Sequence, residues 1–154
     1  MRRRSARQPW DGATGDRARV LLECEPEHSP SIIASVIERY GYDVRTCEGP
    51  DAGRCDLLAN GSCGLVEGAD VVVNMLHPRR QGAELLARET ALDESPAVVA
   101  EMTRSQRQAV ADAGGGVDLE RVTVVETPVT GKALIDAIQD AAGRRRHAGP
   151  AVRV

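Results

Sequence analysis

The chain has 154 residues, 42% of them hydrophobic, and 20 basic against 23 acidic side chains for a net charge of −3. That length predicts one domain with a real core, and the near-balance of charge provides no overall field to draw the protein onto nucleic acid or an anionic membrane. No apolar run reaches the length of a membrane span, and the basic N-terminus lacks the apolar segment of a signal peptide, so a cytoplasmic protein with mostly reduced cysteines is expected.

Phe is absent and the aromatics are Trp10, Tyr40 and Tyr42, so the core must come from Val, Ile, Leu and Ala. Residues 1–17 are Arg- and Gly-rich, carry one Trp and show no periodicity; they predict a disordered basic arm. Residues 18–143 predict the folded domain, and 144–154 a second disordered tail. The triplets Arg2–Arg4 and Arg144–Arg146 are too short for a nucleic-acid arm and are read as solubilising ends.

Between the ends, β-branched runs alternate with helical patterns. "ARVLLE" (18–23) is continuously apolar, as in a strand buried on both faces. A helix follows, capped by Ser29 or Ser31, striped by Ile32, Ile33, Val36, Ile37 and Tyr40, and ended by Gly41. "YDVRTC" (42–47) is a short strand. Residues 48–68 hold five glycines and a proline, which predicts an irregular crossover with at most a short helix near 55–60. "DVVVNML" (70–76) is a second buried strand and 82–92 a helix. A strand at 97–102, a polar helix at 104–114, a strand at 121–127 and a helix at 130–143 complete the chain. The alternation implies a parallel sheet with helices on both faces.

These residues resemble the receiver domains of bacterial two-component response regulators. "RVLLECEPEH" is similar to the family's first strand, which ends in an acidic pair followed by Glu-Pro. "VVVNMLHPRRQGAELL" is similar to the third strand, with Pro78 four residues past the phosphoacceptor position and Gly82 four further on. "VIERYGYDV", "SPAVVAEM" and "VVETPVTGKALIDAI" fall in the family's order at its spacing. The resemblance covers residues 18–143. It implies a flavodoxin-like (CheY-like), doubly wound α/β fold with a five-stranded parallel sheet in the order 2-1-3-4-5.

The departures fall on the chemistry. The family forms an aspartyl-phosphate on the third strand; here the position is Asn74, whose neutral amide cannot attack phosphorus. The family's acidic pair helps to hold Mg²⁺ through oxygen; here it is Glu23 and Cys24, and a soft thiol is a poor partner for that ion. Thr or Ser on the fourth strand is replaced by Glu101, and the Lys before the last proline by Thr127. The resemblance therefore implies a degenerate phosphoacceptor pocket of Glu23, Cys24, Asn74, Glu101 and Thr127, with no catalytic residue and no cofactor, the Mg²⁺ site being lost. The plain alternative for each residue is structural: Asn74 as a strand-end hydrogen-bonder, Cys24 as a filler, Glu101 facing water.

Cys47, Cys55 and Cys63 recur every eight residues, and Cys24 ends the first strand. All four are placed near the carboxyl edge of the sheet, where a thiol cluster, a disulfide or a metal site is conceivable, although the spacing is not that of a zinc motif. Cys55 and Cys63 are expected nearer solvent than Cys24. His28 and His77 flank the same edge. Two function classes follow. One is a stand-alone, non-enzymatic signalling module of the phosphorelay family that is not phosphorylated. The resemblance implies a protein partner at its last two helices and fifth strand; nucleic acid and membrane are not expected, and a homodimer is compatible. The other is a redox or small-ligand sensor using the cysteines at the carboxyl edge, the general ligand site of such sheets.

Overall fold

In the computed structural model, which describes residues 10–13, 15–77, 80–112 and 116–148, five parallel strands form one sheet in the order β2-β1-β3-β4-β5. The strands are β1 (Arg19–Cys24), β2 (Asp43–Cys47), β3 (Val71–Met75), β4 (Ala97–Met102) and β5 (Val122–Glu126). β1, β3 and β4 are almost wholly buried because helices cover both faces, which is what their unbroken aliphatic runs require. The fold is the one expected.

One face carries α1 (Pro30–Arg39) and α6 (Gly131–Ala148). They pack Ala34, Ile37, Leu134, Ile135 and Ile138 onto Val20, Leu22, Val71, Val73 and Val99. Full burial of a side chain such as Ile138 contributes about 1.5–3 kcal/mol. The other face carries α2 (Asp56–Asn60), α3 (Gly64–Glu67), α4 (Arg80–Ala91) and α5 (Arg104–Asp112). The second crossover is irregular as predicted: α2 and α3 are short and joined through Gly61 in a left-handed conformation.

Three expectations change. Trp10 does not lie in a disordered arm. It is 5% exposed and packs with Leu57, Val66 and Ala69, and its indole N–H donates to the Leu65 carbonyl at 3.0 Å. The guanidinium groups of Arg19 and Arg45 lie 5.8 and 5.5 Å from the ring centre. A Cβ on Gly68 would stand 2.3 Å from the indole, so only glycine leaves room for the ring. Residues 1–9 lie outside the described residues.

α6 does not stop at Gly143 but continues to Ala148, which moves the start of the predicted tail into the helix. Arg144 supports this extra turn by pairing with Asp140 at 3.2 Å and donating to Thr123 Oγ1. The rest of the tail, 149–154, is outside the described residues. The stripe on α1 is also rotated: Ile37 and Ala34 face the sheet, whereas Ile32 and Tyr40 are 66% and 58% exposed. The helix starts at Pro30, and Ser29 precedes it in the left-handed region without a side-chain cap.

Candidate functional site: a sealed polar row at the carboxyl edge

The parallel register aligns Cys47, Glu23, Asn74 and Ala100 in one row across β2, β1, β3 and β4. Side chains alternate along a strand, so Glu23 and Asn74 share the face of Leu21 and Val72. Cys24 and Met75 turn to the opposite face, into the α1–α6 core. Glu23 is 1% exposed and Asn74 is 0% exposed.

Both ends of the Asn74 amide are engaged. Its Nδ2 donates to Glu23 Oε1 at 3.1 Å, and its Oδ1 accepts from the Leu76 backbone N–H at 3.2 Å. Gly49, at φ +86°, lies against the Leu76 side chain; a Cβ there would come within 2.7 Å of Leu76. β1 lies between β2 and β3, so this contact joins the loops that flank its carboxyl end.

Sequence reading did not single out Glu89 of α4. It is 0% exposed, and among the described residues neither of its carboxyl oxygens meets a hydrogen-bond donor. The Glu23 carboxyl lies within hydrogen-bond reach of it, so two acceptor groups face each other with no donor between them. Burial pushes Glu23 up to about 7, partly offset by the hydrogen bonds with Glu89 and Asn74. Burial and then the charge of Glu23 hold Glu89 well above the ordinary carboxyl range. A signal was present: Glu89 falls at helical spacing from Leu85 and Leu86, a carboxyl in an otherwise apolar stripe.

The remaining predicted residues are dispersed. Glu101 does not face water. It is 6% exposed, and its Oε1 lies 3.1 Å from His77 Nε2. His77 itself holds a left-handed φ of 52°. The His28 ring stands nearly perpendicular to His77 with centroids 5.6 Å apart, and His28 Nδ1 is 3.9 Å from Glu25. Thr127 precedes a cis peptide to Pro128; its N–H donates to the Met102 carbonyl, and its buried hydroxyl has no partner. The Pro78 landmark lies outside the described residues.

Three of the four cysteines gather on one face, and Cys24 stands apart. Cys47, Cys55 and Cys63 are half-buried against the cluster containing Leu57 and Leu76, while Cys24 is fully buried on the other side of the sheet. Burial pushes both the Cys24 and Cys47 thiols up to about 11. Glu101, Glu25 and Glu27 add to the first; for the second, Glu23 and the other thiols add and the Gly49 N–H subtracts. Among the described residues, no group of three His, Cys, Asp or Glu side chains is placed to hold a metal ion.

Outside the sealed row lies an open groove of about 740 Å³, lined by Glu25, Pro26, Glu27, Glu48, Asp51, Ala52 and Gln81. Four of these residues are acidic, so the groove presents negative potential to an anionic ligand.

The structure is similar to a response regulator receiver domain protein from Methanospirillum hungatei, with a TM-score of 0.62 at 16% identity over 86% of this chain and 99% of that one. The fold is that of receiver domains. A receiver domain protein from Clostridium thermocellum gives 0.59 at 19% identity over 86% and 98% of the two chains. An orphan response regulator of Helicobacter pylori gives 0.56 at 18% over 81% and 96%. No family model matches the sequence, and no curated protein does.

The receiver fold raises the question of Mg²⁺, and the donor set here does not fit it. That ion requires open octahedral oxygen coordination with several waters. Glu23 and Asn74 are sealed, the Asn74 oxygen is committed to Leu76, and Cys24 sits on the far face. Among the described residues, no helix is long and apolar enough to cross a membrane.

Proposed function

We propose that this chain is a pseudo-receiver: a response-regulator-like signalling module that is not phosphorylated and acts through contact with a protein partner. The observation that carries this reading is the state of Asn74, which is fully buried with both amide ends engaged. A neutral amide has no anionic oxygen to attack phosphorus, and a sealed one meets no donor. The acidic groove adds a repulsive approach for anionic phosphodonors.

Phosphoryl transfer depends on positioning and on cations that neutralise developing charge. At the positions that would supply such groups stand Cys24, Glu101 and Thr127, and Glu101 is already engaged by His77. Output then passes through a surface. The face of α5, β5 and α6 is the one that the receiver likeness assigns to partners, and much of β5 and α5 is left partly or fully exposed. Redox sensing is the less supported reading, because burial raises the Cys24 and Cys47 thiols and so disfavours the reactive thiolate at those two positions.

The test is intact-mass spectrometry after incubation with acetyl phosphate and Mg²⁺. The wild-type chain is expected to gain no phosphoryl group, and Asn74→Asp alone to gain little. A quadruple variant with Cys24→Asp, Asn74→Asp, Glu101→Thr and Thr127→Lys is expected to label more than the single one. Labelling of the wild type, or full labelling of Asn74→Asp, would refute a closed pocket.

A further inference from the structure

We propose that Glu89 and Glu23 form a buried carboxyl pair joined by a proton, and that this proton supplies the charge neutralisation that a divalent cation would supply in an open receiver pocket. The pair comes from two elements that meet inside the molecule: Glu23 from the end of β1 and Glu89 from the last turn of α4. Both are closed to water, at 1% and 0% exposure. Buried carboxyls are tolerated when their oxygens are satisfied and their charge is balanced. Asn74 supplies one donor, to Glu23. Among the described residues, no donor reaches either carboxyl oxygen of Glu89.

The groups facing Glu89 decide where its proton goes. They are Glu23 from β1, Cys47 from β2 and Cys55 ahead of α2, with Asn74 beside Glu23 from β3. None of these side chains carries positive charge. A hydrogen bond between two carboxyl groups needs a proton on one of them. Two ionised carboxylates in contact would repel and leave Glu89 without a donor. With a proton on Glu89, its hydroxyl donates to Glu23, and Glu23 accepts from both Glu89 and Asn74. Glu23 is raised to about 7 and Glu89 is held well above the ordinary carboxyl range, so the pair as a unit keeps a proton at mildly acidic pH and releases its protons in two steps. Asn74 also belongs here: an amide can donate to Glu23, whereas an ionised aspartate in its place would add a second negative charge to the row.

The measurement is carbon-13 NMR of the full chain carrying glutamate labelled at the side-chain carboxyl, titrated from mildly acidic to mildly alkaline pH. We expect the Glu89 resonance to stay at the protonated position across the range and that of Glu23 to move near neutrality. In Glu89→Gln the amide donates permanently, and the Glu23 midpoint should fall by at least about one unit. Millimolar Mg²⁺ should leave both resonances where they are. Titration of both carboxyls in the ordinary acidic range would overturn the proposal, as would a saturable response of either to Mg²⁺. If Glu89→Gln does not fold, the wild-type titration and its Mg²⁺ arm still decide. No phosphodonor enters this experiment, so its failure and that of the pseudo-receiver reading are separate results.

Discussion

The two faces of the sheet are built by different rules. Under α1 and α6 the sheet packs hydrophobic residues, with Glu101 at its carboxyl edge as the buried exception, and two helices cover it. Under α2, α3 and α4 the same sheet carries Glu23, Asn74 and Glu89, half-buried thiols and a docked Trp10, beneath a crossover broken into two short helices. The first face is held by the amount of apolar surface removed from water. The second is held by particular partners, each of which can be lost singly. Stability and specialisation are therefore segregated across one sheet.

The largest effect should come from the apolar face. Ile138→Ala should cost about 4 kcal/mol, read as a lower urea midpoint with an unchanged slope. Loss of under about 1 kcal/mol would mean that α6 does not share the cooperative core.

Trp10→Ala tests whether the N-terminal segment belongs to the opposite face. We expect a loss of about 3 kcal/mol. Gly68→Ala should cost a similar amount by expelling the indole, and the double variant should be little worse than either single one. Simple additivity would show that the two residues act separately.

The carboxyl pair sharpens the comparison by pH. Both folded values lie above the ordinary 4.5, so the folded chain binds more protons than the unfolded one over the window above 4.5. The stability this contributes is complete below 4.5; the share from Glu23 is lost as pH rises through about 7, and that from Glu89 goes on being lost at higher pH. Melts of the wild type should lose on the order of 2 kcal/mol between mildly acidic and mildly alkaline pH, and Glu89→Gln should lose much less. Equal slopes would place the pH dependence elsewhere.

The smallest effect is kinetic. Alkylation of the native protein should modify Cys55 and Cys63 before Cys47, and Cys24 last, because Cys24 is fully buried and keeps its proton. Early reaction at Cys24 would mean that the apolar face opens more readily than its packing implies.

The apolar face was readable in the sequence, apart from one rotation. Its strands are unbroken runs such as "RVLLEC" and "VVVNM", and the landmarks around Asn74 and Thr127 fall in the order that resembles receiver domains. The rotation of α1 was missed because its apolar residues, Ile32 to Tyr40, spread over more than one face, and spacing alone does not say which arc meets the sheet. The polar face was harder to read. Trp10 stands alone in a polar, Gly-rich stretch with no period to assign it, and its pocket is closed by Leu65 and Gly68, more than fifty positions away. Its place at the carboxyl edge grouped Cys24 with the other cysteines, but the two-residue period of β1 turns it away from Glu23 and so away from them. Glu101 of β4 looked solvent-facing because its partner, His77, lies on the loop after β3, 24 residues earlier in the chain.

The seating of Leu76 against Gly49 has a consequence for the timing of any restored chemistry. Even a variant with every acidic group replaced would present its nucleophile only in the fraction of molecules where those two loops part. Its labelling would therefore be gated. The rate should rise with acetyl phosphate at low concentration and then reach a plateau set by the opening frequency rather than by donor supply. A smaller side chain at position 76 should raise that plateau without changing which residue is labelled.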